Sequence, residues 1–190
     1  MIFVTVGHQM PFDRLVSIVD EWAGERGRID VFAQIGDTGL RPRHIEHAAR
    51  ISPTEFIRRV GESRCIVGHA GMGTILTALR YQRPVLVMPR LATLRETRNE
   101  HQLATARRLA ERPGVEVAFD EAALRSQLDR LDELTSADAI PSHANPSLIA
   151  AVRAFVAGRP WPDARECVDA PSPTSTAAVG EKALPLPSSR

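Results

Sequence analysis

The chain has 190 residues, enough for one domain with a full core and marginal for two. Its 24 basic and 23 acidic side chains leave a net charge of +1, and the basic residues, nearly all arginine, are dispersed, which argues against a nucleic-acid binder held by a broad basic field. Cys65 and Cys167 are the only cysteines, one in an apolar run and one in a polar tail; this argues against a disulfide framework or a zinc site and fits a reducing cytosol.

Met1 leads straight into "IFVTVG", without a basic n-region or a cleavage site, so no signal peptide is expected. No apolar run approaches the roughly 20 residues that span a bilayer. Membrane attachment is therefore expected only through a partner or a surface.

"MIFVTVG" is continuously apolar and β-branched, as in a strand buried on both faces of a parallel sheet. A helix follows, with Leu15, Val16, Val19 and Trp22 at helical spacing, Pro11 in its first turn, and Gly24 and Gly27 as a stop. "IDVFAQIG" reads as a second strand and "HAARI" as a weak third. "SPTEFIRRVGESR" places Ser52, Pro53 and Glu55 at N-cap, N1 and N3, a capping box, with Phe56, Ile57 and Val60 facing inward. "CIVGHAGMG" is a fourth strand running into a turn, "TILTALRYQ" its helix and "PVLVMP" a fifth strand. "NEHQLATARRLAER" is a helix and "GVEVAF" a sixth strand. "DEAALRSQLDRLDEL" is a helix capped by Asp120, and "NPSLIAAVRAFVAG" a last helix capped by Asn145 with Pro146 at N1.

This alternation predicts an α/β fold, a doubly wound, mostly parallel, Rossmann-like sheet of about six strands with right-handed crossovers. The ordered domain is expected over 1–157. From 158 to 190 the composition turns to Pro, Ser, Thr and Ala, with little to bury, and predicts a disordered tail.

In such a sheet, ligands bind beyond the carboxyl ends of the strands, near a reversal of strand order. Four unusual segments fall there: Gly7-His8-Gln9, Gln34-Ile35-Gly36-Asp37, His69 to Thr74, and Pro89 to Gln102. The His69–Thr74 turn is the sharpest. Glycines 68, 71 and 73 permit positive φ and a close approach, and the helix behind them offers free N–H groups and a positive dipole end to an anion, most naturally a diphosphate. Thr74 adds a hydroxyl. The same glycines also fit plain close packing of helix on strand. "GHAGMG" lacks the Gly-Lys-Ser/Thr of a Walker loop and sits after the fourth strand, not the first, unlike an ordinary dinucleotide site. Glu96, Asn99, Glu100, His101 and Gln102 form a polar cluster suited either to capping or to recognising hydroxyls. No ligand spacing for a metal is present, so no metal is expected.

"VTVGHQMPFDRLV", "VGHAGMGTILTAL", "RPVLVMPR" and "ETRNEHQLATA" resemble the nucleotide-sugar half of family 28 glycosyltransferases over residues 1–157. The small single-domain members are the most similar: the catalytic subunit of the two-part enzyme that adds the second N-acetylglucosamine to dolichol-diphosphate sugar, and the small subunits of bacterial exopolysaccharide glycosyltransferases. MurG is a fused, two-domain relative. The resemblance implies one half of a GT-B fold. It implies a UDP-sugar donor and a lipid-linked acceptor, and no cofactor. A membrane-anchored acceptor-binding subunit would complete the cleft and hold this chain at the inner face of the membrane. Gly7 and His8 would lie near the diphosphate, and His69, Ala70, Gly71, Met72, Gly73 and Thr74 would cradle it. His101 and Gln102 would face the donor sugar, and Phe56 the base. Relatives carry a Glu that holds the ribose where this chain has Thr77, with Glu96 as a substitute, and a Thr where it has His8.

The expected activity is an inverting, metal-independent transfer in which the Gly turn stabilises the departing nucleoside diphosphate. His8 is the internal candidate for general base, since histidine titrates near neutrality. The alternative is a noncatalytic scaffold or regulatory subunit that keeps the fold. A sugar-nucleotide epimerase would need both halves in one chain, and 190 residues are too few.

Overall fold

A computed structural model describes residues 1–136, 139–141 and 143–159. The chain divides into two compact units, Met1–Ser142 and His143–Arg190. The first carries β1 (Ile2–Thr5), α1 (Asp13–Glu25), β2 (Val31–Gln34), β3 (Glu46–Ala48), α2 (Pro53–Glu62), β4 (Cys65–His69), α3 (Met72–Arg80), β5 (Val85–Met88), α4 (His101–Leu109), β6 (Val115–Val117) and α5 (Glu121–Asp129). The second carries α6 (Pro146–Val156). Cys167 and the expected tail from residue 160 onward lie outside the described residues.

All six strands are parallel, in the order β3-β2-β1-β4-β5-β6. Strand order therefore reverses between β1 and β4, which pair in register from Ile2 opposite Cys65 to Thr5 opposite Gly68. Alternate residues along each strand feed two cores, as the strand's period of two requires. Ile2, Val4, Val67, Leu86 and Met88 pack with α1 and α5 on one face. Phe3, Ile66, Val85 and Val87 pack with α2, α3 and α4 on the other. Cys65 is buried, and burial pushes its thiol up to about 12, so it is an inert core residue at neutral pH.

Three helices start as their sequences predict. Ser52, Asp120 and Asn145 each accept a backbone N–H with the side chain, from Glu55, Ala123 and Ser147. The box at Ser52 is only half made, because the Glu55 carboxylate is taken by Arg58 and Arg59 instead of turning back. Pro11 lies outside the first helix: Phe12 is buried in the core and serves as N-cap, and the helix begins at Asp13. The expected use of positive φ at glycines 68, 71 and 73 is also corrected, since none of the three adopts it.

Candidate functional site

An open cleft of about 1260 Å³ lies beyond the carboxyl ends of β1 and β4, where the strand order reverses. It is lined from five sides: by the β1–α1 loop, by the end of β2 with Gln34, Gly36 and Asp37, by α2 and the segment before it, by the β4–α3 turn, and by the approach to α4.

The β4–α3 turn is built around one imidazole. A Cβ added at Gly71 would stand 2.1 Å from Nε2 of His69, and one at Gly7 would stand 2.6 Å from its Cε1. A Cβ at Gly68 would stand 2.6 Å from the carbonyl oxygen of Thr5. Gly68 is thus required by the packing of β4 on β1, and Gly71 by the His69 ring. Gly7 is doubly constrained, with φ +79° as well as the ring contact. Of the glycines in this turn, Gly73 alone has open space where a side chain would be, and it faces the cleft.

His69 is held neutral. Burial and then the nearby charge of Arg90 push it down to about 4, offset only in part by the Thr5 backbone. Its Nδ1 is buried without a well-formed hydrogen bond among the described residues. The ring can therefore offer a diphosphate an N–H but no charge. The buried positive charge lining the cleft is that of Arg90, which the sequence reading missed. Arg90 is buried, and its Nη2 donates to the carbonyls of Val6 (2.7 Å) and Met10, fixing the β1–α1 loop. Its backbone N–H donates to Oε1 of Gln102 at 3.2 Å. Its guanidinium lies 5.3 Å from the centroid of Phe12, and burial lowers its pKa from the usual value. The available signal was an arginine set directly against the apolar run "VLVMP".

The start of α3 is the open end of the site. Gly71 is its N-cap, and no side chain caps it. The Gly71 N–H bonds to His69 O and the Ile75 N–H to Gly71 O. The N–H groups of Met72, Gly73 and Thr74 lie between them, at the positive end of the helix. Gly71, Gly73 and buried Thr74 line the cleft. Ala70 does not, being part of the core, and the Met72 side chain is exposed outside the cleft.

Of the remaining sequence-predicted residues, His8 lines the cleft and is exposed. Phe56 lies edge-on to Phe3 (ring centroids 5.6 Å apart) and forms an apolar shelf with Ile51, Pro53 and Ile57. Thr77 lines the cleft half-buried, its hydroxyl donating to Gly73 O at 2.7 Å. His101 and Gln102 reach the cleft at the start of α4. Oδ1 of Asn99 accepts both the backbone N–H and Nδ1 of His101. Because that oxygen can only accept, Nδ1 donates to it.

Glu96 is not brought to the cleft. Arg14 grips both its carboxylate oxygens at 2.7 Å, and Oε2 also accepts the Leu91 N–H at 3.0 Å, so it ties this loop to α1. Gln34 is likewise fully engaged, accepting from Thr5 Oγ1 at 2.8 Å and donating to Gly7 O and Ala49 O at 3.1 Å each. It braces the three strand ends on which Gly7 sits. Among the described residues no group of three or more His, Cys, Asp or Glu side chains could hold a metal ion. No described helix is long and apolar enough to cross a membrane.

Several solved structures share this architecture. The NMR solution structure of ALG13 is 22% identical, with a TM-score of 0.53, and the match covers 78% of this chain and 92% of that one. The glycotransferase of kitacinnamycin is 19% identical, with a TM-score of 0.52, over 68% of this chain and 34% of its own. MurG of Acinetobacter baumannii is 15% identical, with a TM-score of 0.50, over 70% of this chain and 42% of its own. The chain thus spans about the whole of the first and only a third to two fifths of the other two, and at these identities the likeness establishes the fold alone. No curated protein matches the sequence. The family description "Glycosyltransferase family 28 C-terminal domain" matches residues 1–151, most of the described chain. On that match, the chain belongs to the glycosyltransferase family 28 C-terminal domain family.

Proposed function

We propose that this chain is the donor-binding, catalytic subunit of an inverting glycosyltransferase that moves a sugar from a UDP-sugar to a lipid-linked acceptor. The diphosphate would sit on the β4–α3 turn, with the uracil on the Phe56 shelf and the donor sugar against His101 and Gln102. The observation that carries this reading is the uncapped start of α3, facing a cleft at the reversal of strand order, with Gly73 leaving its backbone bare. Unpaired N–H groups in that position are preorganised for negative charge.

In the reaction, the bond between the anomeric carbon and the β-phosphate oxygen breaks as the acceptor oxygen attacks from the opposite face. The electron pair leaves on UDP, where the α3 N–H groups and the charge of Arg90 stabilise it. The acceptor's proton passes to a general base, and His8 at the rim is the candidate within this chain. The cleft is open, and a membrane-anchored partner that carries the acceptor would close it, holding this chain at the inner face of the membrane. Polysaccharide or glycolipid synthesis is the setting that such an acceptor implies.

Isothermal titration of the full chain with UDP and UDP-sugars, alone and with a co-purified partner, tests this reading. Saturable binding that is lost in a Gly73→Asp variant is expected. Absence of UDP binding in both settings overturns it.

A further inference from the structure

We infer that the cleft reads the ribose of its nucleotide so weakly that ribose and 2′-deoxyribose diphosphates are both accepted, which, given the nucleotide reading, widens the donor class from UDP-sugars to thymidine-type diphosphate sugars. With the diphosphate at the start of α3 and the base on the Ile51–Phe56 shelf, the ribose lies along α3 between them. The α3 side chain that lines the cleft there, beyond Thr74, is Thr77.

Thr77 is poorly equipped to select a diol. Its proton is committed to Gly73 O at 2.7 Å, so it can only accept. Sugar hydroxyls are held most firmly by carboxylates. The one carboxylate lining the cleft among the described residues is Asp37, and Nε (3.1 Å) and Nη2 of Arg50 take its two oxygens. The side-chain oxygens of Gln34, Asn99 and Gln102 are also occupied, by Thr5, His101 and Arg90. A site rejects a substrate lacking a hydroxyl when a buried polar partner is left unpaired. Here deletion of the 2′-hydroxyl leaves none, because Thr77 keeps its bond to Gly73 and is half-exposed.

The test compares UDP with 2′-deoxyuridine 5′-diphosphate by isothermal titration on the full chain, so that the base is constant. Affinities within about fivefold of each other are expected, and a deoxynucleotide weaker by about fivefold or more overturns the inference, since a built hydroxyl site discriminates far more strongly. Thr77→Glu supplies the missing carboxylate and is expected to raise the preference for UDP by about tenfold or more. An unchanged preference in a folded Thr77→Glu protein also overturns it, by moving the ribose off α3. The wild-type comparison decides the matter if that variant does not fold. UDP bound with the deoxynucleotide refused sinks this inference alone, whereas neither nucleotide bound sinks the nucleotide reading beneath it.

Discussion

Helices α3 and α5 are nine residues each, both follow a parallel strand of one sheet, and both have an extended N-cap residue. Their first turns are opposites. At α5, Asp120 accepts the Ala123 N–H at 2.7 Å and Glu121 adds a second negative charge to the dipole's positive end. At α3, the cap is a glycine, no side chain closes the turn and no acid stands in it. A glycine in place of such a cap costs only a few tenths of a kcal/mol. One helix is closed for stability; the other leaves its donors exposed in the cleft. The difference is not one of tolerance for side chains in general. A cap at residue 71 is blocked because the His69 ring fills the space a Cβ needs.

The comparison breaks most severely at Gly71. In Gly71→Ala, the new Cβ meets Nε2 of His69 at 2.1 Å, and the ring cannot retreat because Gly7 bounds its other side. Overpacking of this kind costs about 1–3 kcal/mol. If the turn binds the diphosphate, displacement of its backbone should also weaken UDP by about 100-fold, equivalent to some 3 kcal/mol. Thermal unfolding and titration with UDP measure both effects. Normal affinity in a folded Gly71→Ala protein would show that the turn does not hold the nucleotide.

His69 also gives the α3 side an acid sensitivity. Its folded value of about 4 lies below the ordinary 6.5, so the unfolded chain takes up this proton first as pH falls. Stability from His69 is therefore complete above about pH 6.5 and is lost between 6.5 and 4, by up to about 3 kcal/mol. Denaturant unfolding from pH 7 to 4 is expected to show this decline, and a His69→Gln variant a shallower one. An equal slope in both proteins would assign the acid sensitivity to other groups.

The contrast between the two helices also marks what could be read from sequence. The caps at Ser52, Asp120 and Asn145 were legible because capping is local, spanning two or three residues. The six-strand α/β sheet was legible from short buried runs alternating with amphipathic helices, and the reversal of strand order places a cleft beside His69–Thr74. What escaped was every pairing made across long stretches of chain. Glu96 reads as a free acid until Arg14, 82 residues away, takes both its oxygens. Arg90 reads as the end of a strand until its guanidinium binds Val6 and Met10. Spacing alone could not say that Gly71 answers to an imidazole two residues earlier, because that depends on the rotamer His69 adopts against Gly7.

A cap can be removed from α5 without touching the cleft. Asp120→Ala should cost about 1 kcal/mol, since it orphans the Ala123 N–H. UDP affinity should stay unchanged, because Asp120 does not line the cleft. A drop in affinity there would mean that the two helices are not independent, and that stability lost anywhere in the sheet reaches the site.

The smallest effect expected on stability is at Gly73, and it separates folding from binding. A Cβ at this position meets no atom within 4 Å, so Gly73→Ala carries no steric cost. Alanine in a helix is preferred over glycine by about 0.5–1 kcal/mol, because glycine loses more backbone freedom on folding. The variant should therefore melt slightly higher than the wild type. The same methyl group projects into the cleft beside the open N–H groups, where a diphosphate would have to make close contact. UDP affinity should fall by about tenfold, or about 1.4 kcal/mol. A protein that gains stability while losing nucleotide shows that residue 73 is glycine for the ligand's sake; unchanged affinity with raised stability would leave the bare backbone of α3 without a function.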